Sequence, residues 1–259
     1  MEDNILSPSE IRRYNRQIII PEIGTTGQEK LKLAKVVVIG AGGLGCPVLQ
    51  YLAAAGVGKI SIVEFDLVDE TNLQRQVLYG SVDVGKLKSI IAKNRLENLN
   101  SYGEFNIFNL RLDKSNALNI LKNFDLVVDA TDNLESRYII NDACVIHNIP
   151  MVHGAIYKYE GVVSVFNYKG GPTYRCYNAS AVNKKDKNPL PADVGLLGVL
   201  PGITGTYMAN EVIKIITETG EVLSGKVLLF NILNNTFNTF YVNNIPENHN
   251  IRDLTLFST

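Results

Sequence analysis

The sequence predicts an α/β fold in which antiparallel hairpins extend a doubly wound, mostly parallel sheet. Through the first 155 residues, short apolar runs alternate with segments whose apolar residues recur every three or four positions. After residue 155 apolar and polar residues alternate, which is typical of antiparallel hairpins. The chain has 259 residues, of which 46% are hydrophobic, enough to bury the core of one large domain or of one domain with an appendage.

The first part contains five predicted strands, near residues 35–39, 59–63, 104–110, 125–129 and 151–154. Four helices are predicted between them, near residues 43–55, 85–98, 115–122 and 134–148. A charged amphipathic segment at residues 9–33 precedes the first strand. We expect it to pack across the sheet or onto a second subunit.

The second part contains two predicted hairpins. One pairs residues 162–167 with 173–178 around a glycine-rich turn, and the other pairs 227–233 with 236–242 through Asn234-Asn235. Residues 203–217 are predicted to form a buried helix between the hairpins. Residues 179–193 show no pattern, and we expect a mobile loop there.

Charge and cysteine content exclude several classes of partner. The 25 Lys and Arg residues against 26 Asp and Glu give a net charge of −1, without a general attraction to nucleic acid or an anionic membrane. No apolar run reaches the roughly 20 residues that span a bilayer, and the N-terminus does not resemble a signal peptide. Three widely spaced cysteines, Cys46, Cys144 and Cys176, suit a reducing compartment. We therefore expect a soluble, cytoplasmic protein.

A glycine-rich turn, VVVIGAGGLG at residues 36–45, joins the first strand to the next helix. Gly40 permits a tight turn, Gly42 lets the backbone approach an anion, and Gly45 allows helix and strand to pack closely. The amides and dipole of the helix N-terminus favour negative charge. Glu64 ends the second strand, where an acidic side chain hydrogen-bonds a ribose hydroxyl. These features predict a nucleotide site in a Rossmann-like sheet.

Cations follow this motif. Arg75, Lys86 and Lys88 come soon after the second strand. Hydride transfer does not need this much positive charge, whereas a reaction that expels pyrophosphate does, because negative charge builds on the phosphate oxygens. The pattern favours chemistry at phosphorus over a nicotinamide-dependent oxidoreductase, the alternative that the glycine turn alone suggests.

Acidic residues follow the fourth strand, in the sequence DATDN at residues 129–133. Ligands bind at the carboxyl edge of an open α/β sheet. There Asp132 is a candidate Mg²⁺ ligand, together with phosphate oxygens. The alternative is structural: Asp132 caps the helix that starts near Leu134, and Asp129 makes a loop contact.

Six stretches in order resemble the ThiF/MoeB/HesA family, the bacterial relatives of ubiquitin-activating enzymes, over roughly residues 10–245. They are RYNRQ at 13–17, the glycine turn, NLQRQ at 72–76, GKLK at 85–88, TDN at 131–133 and GPTYRC at 171–176. The resemblance implies a homodimer that uses ATP and Mg²⁺ to adenylate the C-terminal Gly-Gly carboxylate of a small β-grasp sulfur-carrier protein. The expected pathway is thiamine or molybdopterin synthesis, and the expected sulfur donor is a cysteine desulfurase or a rhodanese.

The resemblance also implies an organisation of the chain as a single adenylation domain, residues 1–259. Residues 1–34 would form a helical dimer arm, 35–155 the nucleotide-binding half, 156–245 an antiparallel carrier-binding half, and 246–259 a tail. The implied nucleotide-binding residues are Gly40, Gly42, Gly43, Gly45, Glu64, Asn72, Arg75, Gln76 and Lys88.

Four residues carry the implied catalysis: Arg75 and Lys88 on the phosphates, Asp132 on the metal, and Arg16 reaching the terminal phosphate in the neighbouring subunit. A terminal carboxylate has a pKa near 3.5, so at neutral pH it attacks phosphorus without a general base. No histidine is needed, and we expect His147, His153 and His249 to be structural.

Two departures from the family pattern bear on function. Many members hold a structural zinc with two Cys-x-x-Cys pairs. Here Thr173 replaces the first cysteine, Cys176 remains, and residues 243–259 contain no cysteine, so we expect no zinc. Cys176 is then expected to be a small buried residue at a hairpin.

The second departure is in the segment that carries a reactive cysteine in members that form a covalent intermediate. Here the matching residue is Pro191. We expect the reaction to stop at the acyl-adenylate, since Cys46 and Cys144 are predicted on packed helix faces. The lost cysteines leave open an enzyme that adenylates a ribosomal peptide, and a non-catalytic dimeric scaffold remains a further alternative.

Overall fold

A computed structural model describes residues 5–178 and 195–254. Its centre is one sheet of eight strands in the order β3-β2-β1-β4-β5-β6-β7-β8. The strands are β1 (Lys35–Ile39), β2 (Lys59–Val63), β3 (Glu104–Phe108), β4 (Leu126–Asp129), β5 (Met151–Tyr157), β6 (Glu160–Phe166), β7 (Lys226–Asn231) and β8 (Thr236–Tyr241). Strands β1 to β5 are parallel, and β5 to β8 pair antiparallel. The predicted fold class is confirmed.

The helices cover both faces of the sheet. They are α1 (Pro8–Ile18), α2 (Gly24–Leu33), α3 (Gly45–Ala55), α4 (Lys88–Leu99), α5 (Ala117–Leu121), α6 (Leu134–His147), α7 (Tyr174–Tyr177) and α8 (Val199–Thr217). No helix among the described residues is long and apolar enough to cross a membrane.

Alternation along the strands divides the core into two layers. In β1, Val36 and Val38 lie in the cluster that contains α3 and α8, whereas Val37 and Ile39 lie in the cluster that contains α5 and α6. A strand with both faces buried is apolar at every position, as the run at the start of the glycine turn is.

The segment before β1 forms two helices rather than one. Helix α2 packs against α1 and α8, and Tyr14 of α1 is buried, with its hydroxyl accepting a hydrogen bond of 2.7 Å from Asn100. The segment therefore covers helices of its own subunit.

The first predicted hairpin is wrong in its second strand. Strand β6 pairs with β5 instead, around a turn in which Lys158 adopts a positive φ of 52°. Residues 174–177 form the short helix α7, because Asn141 of α6 accepts the Tyr174 amide at 2.7 Å and the Tyr174 ring is buried against Tyr138. These tertiary contacts override the local alternation of apolar residues.

The second hairpin is confirmed as β7 and β8, and the helix between the hairpins begins at Val199, four residues before its predicted start. The predicted loop at residues 179–193 lies outside the described residues.

Candidate active site

A cavity of about 710 Å³ lies at the carboxyl edge of the parallel strands. The ends of β1, β2 and β4 contribute to its wall, together with the start of α4 and the tip of the β5–β6 hairpin. Eight of the residues predicted from the sequence line it: Gly40, Gly42, Gly43, Glu64, Arg75, Gln76, Lys88 and Asp132. Residues separated by up to about ninety positions are thus brought to one place.

The glycine turn is shaped by close backbone contacts. Gly40 has a φ of 96°, and a Cβ there would lie 2.9 Å from the carbonyl oxygen of Ala130. A Cβ at Gly45 would lie 2.0 Å from the carbonyl oxygen of Gly40. Neither position tolerates a side chain. No side chain caps the N-terminus of α3, so this end of the helix is suited to an anionic ligand.

Glu64 is folded back onto the turn. Its Oε2 accepts the Ala41 amide at 2.8 Å, and its Oε1 accepts the amides of Phe65 and Asp66 at 2.8 and 2.9 Å. A carboxylate has about four lone-pair directions, so three amides leave room for one hydroxyl. Glu64 therefore links the glycine turn to the end of β2 and keeps one acceptor direction for a ligand.

Two predicted cations line the cavity in different environments. Lys88 is only 4% exposed, and its Nζ lies 3.3 Å from Oδ2 of Asp66. The Arg75 side chain is half-buried and donates to the carbonyl of Thr71 at 3.2 Å. Asp66, which the sequence did not single out, is the partner that the buried Lys88 ammonium group requires.

Gln76 is buried beside the glycine turn. Its Oε1 is buried and has no hydrogen-bond partner in the part of the chain that the structure describes, and its Nε2 lies 3.6 Å from the position of a Cβ at Gly42. A buried amide oxygen without a partner is costly, which favours a ligand that completes this side chain's hydrogen bonds.

Asp132 does not cap the helix that follows it. The cap of α6 is Asn133, whose Oδ1 accepts the Ser136 amide at 2.9 Å. The structural alternative for Asp132 is therefore wrong. The Asp132 carboxylate is exposed to the cavity, and its Oδ1 accepts a long hydrogen bond of 3.4 Å from Asn133 Nδ2.

This carboxylate suits Mg²⁺, which commonly takes one or two carboxylates and completes its shell with phosphate oxygens and water. The described residues contain no group of three or more His, Cys, Asp or Glu side chains placed to hold a metal by themselves. A metal here would therefore depend on nucleotide oxygens as well as on Asp132.

Asp129 is the residue that supports this turn from below. It is fully buried, and its carboxylate binds His153 Nδ1 at 2.7 Å and the hydroxyl and amide of Thr131 at 2.6 and 3.1 Å. Burial acts to raise the pKa of Asp129, but the hydrogen bonds from His153 and Thr131 hold it below its ordinary value. Burial also lowers the pKa of His153, so that the imidazole is neutral near pH 7.

Arg137 is a further cavity cation that the sequence reasoning missed. Its Nη2 donates to the carbonyl of Thr131 at 3.1 Å, and its buried Nε has no hydrogen-bond partner within residues 5–178 and 195–254. The spacing in the sequence could have indicated Arg137, because a residue four positions after the N-cap Asn133 lies on the same side of the helix as the cap. Arg111 and Lys158 also line the cavity, from the ends of β3 and β5.

Three predicted residues do not line the cavity of their own subunit. Gly45 lies below the turn, in the first turn of α3. The carbonyl of Asn72 accepts the amides of Arg75 and Gln76 at 3.0 and 2.9 Å, so this residue shapes the loop that carries them. Arg16 is exposed on α1.

The three cysteines differ in environment. Cys46 and Cys144 are buried, and burial raises the pKa of both thiols, that of Cys46 to about 12. Cys176 lies on α7 and is half-exposed, which corrects its expected place in a hairpin. Its sulfur lies 3.4 Å from both Thr173 Oγ1 and the Ile245 amide nitrogen. Burial acts to raise its thiol pKa, but these hydrogen bonds lower it overall.

Comparisons with known proteins identify relatives of this chain. A model of the ThiF family matches residues 14–250. A Thermus thermophilus protein named sulfur carrier protein adenylyltransferase is 46% identical over 92% of this chain and 89% of its own length. A Mycobacterium tuberculosis protein named probable adenylyltransferase/sulfurtransferase MoeZ is 43% identical over 96% of this chain, which spans 64% of that protein.

Solved structures show the same fold. The microcin C7 biosynthetic enzyme MccB, in complex with N-formylated MccA, superposes with a TM-score of 0.80 at 25% identity, covering 94% of this chain and 77% of that one. Escherichia coli MccB with ATP superposes with a TM-score of 0.74 at 26% identity, covering 85% of this chain and 68% of that one. The names of the relatives confirm the predicted class of enzyme, an adenylyltransferase. From the match over residues 14–250 and these identities, the chain belongs to the ThiF family.

Proposed function

We propose that this chain uses ATP to adenylate the C-terminal Gly-Gly carboxylate of a small β-grasp sulfur-carrier protein. The observation that carries the proposal is the cavity that joins the glycine turn, the cations Arg75 and Lys88, and the carboxylate of Asp132. The relative from Thermus thermophilus, named for action on a sulfur carrier protein, supports the choice of substrate. Thiamine or molybdopterin synthesis is the corresponding pathway, with a cysteine desulfurase or a rhodanese as the sulfur donor.

The chemistry needs alignment and charge more than proton transfer. A carboxylate oxygen of the carrier attacks the α-phosphorus of ATP, and the bond from that phosphorus to the bridging oxygen breaks as pyrophosphate leaves. The carboxylate is already ionised, so no proton moves. Arg75 and Lys88 stabilise charge on the phosphates, and the α3 N-terminus favours the anion. Mg²⁺, held by Asp132 and phosphate oxygens, would neutralise charge on the departing pyrophosphate.

The other residues of the cavity wall would position the nucleotide. The free acceptor direction of Glu64 suits a ribose hydroxyl, and Gln76 also lines the cavity. Gly42 and Gly43 line the cavity where the phosphates would approach the backbone, while Gly40, Gly45 and Asn72 act indirectly, by shaping the turn and the loop.

Asp132 gives the most direct test. Asp132→Ala is expected to abolish carrier-dependent exchange of labelled pyrophosphate into ATP, because the metal ligand is lost while the cap of α6 is kept. Asp113→Ala, an exposed loop carboxylate that does not line the cavity, is the matched control and should retain exchange. Full exchange by Asp132→Ala would remove the metal role from this residue.

We further propose that the reaction ends at the acyl-adenylate, without a covalent cysteine step. Cys46 and Cys144 are buried with raised thiol pKa values and so are poor nucleophiles. The thiol pKa of Cys176 is lowered, but this residue does not line the cavity. Pro191, at the position of the family's reactive cysteine, lies outside the described residues. Mass spectrometry of the enzyme after turnover should detect no thioester or disulfide with the carrier.

A homodimer is part of the proposal, because the family resemblance assigns Arg16 to the neighbouring subunit's site, and Arg16 does not line the cavity of its own subunit. An apolar groove between α3 and α8 supports it. The groove is lined by exposed residues such as Tyr51, Val77 and Val199, and it shares Arg75 with the cavity. A second subunit seated there would bring its own residues close to the phosphate end of the site.

A peptide substrate is the second candidate. The likeness to the microcin C7 biosynthetic enzyme MccB, solved in complex with N-formylated MccA, supports it. Incubation with ATP and either Gly-Gly-ended carriers or short peptides, followed by mass spectrometry for added AMP, separates the two. AMP on carriers alone supports the first candidate, and AMP on peptides alone supports the second. A protein that binds ATP but modifies neither substrate class would be the non-catalytic scaffold.

A further inference from the structure

A buried, hydrogen-bonded pair of side chains, Asp129 and His153, lies directly under the turn that carries Asp132. Asp129 ends β4 and His153 lies opposite it on β5, in register between two parallel strands. Residues opposite each other in a sheet project to the same side, and here Nδ1 of the imidazole lies 2.7 Å from the Asp129 carboxylate. Both side chains are at most 1% exposed.

One carboxylate connects the histidine to the turn. Oδ2 of Asp129 binds His153, while Oδ1 accepts both the hydroxyl and the amide of Thr131. Thr131 directly precedes Asp132, and its carbonyl accepts from Arg137. The backbone before Asp132 is therefore held from two sides, by Asp129 through two hydrogen bonds and by Arg137 through one. His153 in turn donates to Asp129.

The chemistry of the pair fixes its protonation. An ionised carboxylate only accepts hydrogen bonds, so the neutral imidazole carries its proton on Nδ1. The ring is held by Tyr174 and Phe166, whose centroids lie 5.0 and 5.9 Å from its own. The charged groups that act on it are Asp129 and Arg137, and burial keeps its pKa low.

Neither residue touches the cavity directly. Thr131, Asp132 and Arg137 line it, whereas Asp129 and His153 do not. Any effect of His153 on the reaction must therefore pass through the Thr131–Asp132 turn. A buried ionised carboxylate without hydrogen-bond donors is energetically costly. The Asp129 carboxylate therefore keeps its position only while His153 and Thr131 donate hydrogen bonds to it.

We propose that His153, acting through Asp129, is a positioning residue that holds the Asp132 carboxylate toward the cavity before any ligand binds. This rests on the proposed function, in which Asp132 faces the metal and the phosphates. His153 would then have a structural role, as expected from the sequence, and that role would be to orient the ligand-binding turn from beneath.

The test compares two substitutions at His153. His153→Phe keeps an aromatic ring and removes the donor, whereas His153→Asn keeps a donor near the position of Nδ1. In the free protein, amide hydrogen exchange in residues 129–133 is expected to be about tenfold or more faster in His153→Phe and near wild type in His153→Asn. In the pyrophosphate exchange assay, the Mg²⁺ concentration for half-maximal rate should rise by about 10- to 100-fold in His153→Phe alone.

Wild-type amide exchange and Mg²⁺ dependence in a folded His153→Phe would overturn the proposal. If that variant does not fold, Thr131→Val and Thr131→Ser decide, because valine removes the hydroxyl donor to Asp129 and serine keeps it. Amide exchange in residues 129–133 is then expected to be faster in Thr131→Val and near wild type in Thr131→Ser. Equal exchange in the two variants would refute the positioning role. A wild-type protein without pyrophosphate exchange on any carrier or peptide would instead refute the proposed function, whatever the amide exchange shows.

Discussion

At the level of single residues, Lys88 is a buried charge in a position that does not favour folding stability. Its ammonium group is almost fully buried at the first position of α4, where the helix dipole disfavours a cation, and its ion-pair partner Asp66 is half-exposed. A buried charge in this setting contributes little to folding. Its retention is explained by the phosphates that it is proposed to bind.

Lys88→Met is therefore expected to lose activity without losing stability. Removal of one preorganised charge should lower the rate of pyrophosphate exchange by about 100-fold or more. The apolar side chain fits a buried site, so the melting temperature should be unchanged or higher. Lys59→Met, which breaks the exposed pair of 2.8 Å with Glu104, is the control and should leave exchange unchanged. A destabilised Lys88→Met with normal exchange would make this lysine structural.

The sequence identified the residues that follow strands, because the ends of parallel strands meet at one edge. The glycine turn, Glu64 and Asp132 were located in this way. It missed Asp66, because the contact with Lys88 depends on an isolated bridge between Leu67 and Leu87 that no local pattern indicates. The choice between Asp132 and Asn133 as helix cap could be decided only by backbone geometry, since both residue types cap well.

At the level of elements, the short helix α7 is held in place by α6. Arg175 makes two hydrogen bonds to Asp142, at 2.7 and 2.6 Å, and Asp142 is buried. Periodicity predicted a strand here, because Tyr174 and Cys176 alternate with polar residues as in a hairpin. The contacts that decide the conformation come from α6, more than thirty residues earlier, and were not visible locally.

Arg175→Ala is expected to destabilise the protein by roughly 3–5 kcal/mol, because it leaves the buried Asp142 carboxylate without its ion-pair partner. Denaturant unfolding measures this change. Lys30→Ala, which breaks the exposed pair with Glu218, is the matched control and should cost about 1 kcal/mol or less. Equal effects of the two substitutions would mean that the α6–α7 pair is no stronger than a surface pair.

At the level of the whole molecule, the proposal implies a site that is complete only in a dimer. The cavity is built from the ends of several strands of one subunit, but Arg16 is exposed on α1 and does not line it. Under the proposal the second subunit supplies this arginine, and the groove that shares Arg75 with the cavity provides a seat for the partner. Each site would then combine Asp132 of one chain with Arg16 of the other.

Complementation between two inactive variants tests this arrangement. Arg16→Ala and Asp132→Ala are each expected to be inactive alone, because every site in either homodimer lacks one group. When equal amounts are unfolded and refolded together, half of the dimers should be mixed, and each mixed dimer has one intact site. About a quarter of wild-type exchange activity should therefore return. No recovery, despite mixed dimers detected by native mass spectrometry, would mean that Arg16 does not act across the interface; if Arg16→Ala alone is fully active, the arginine has no role in the reaction.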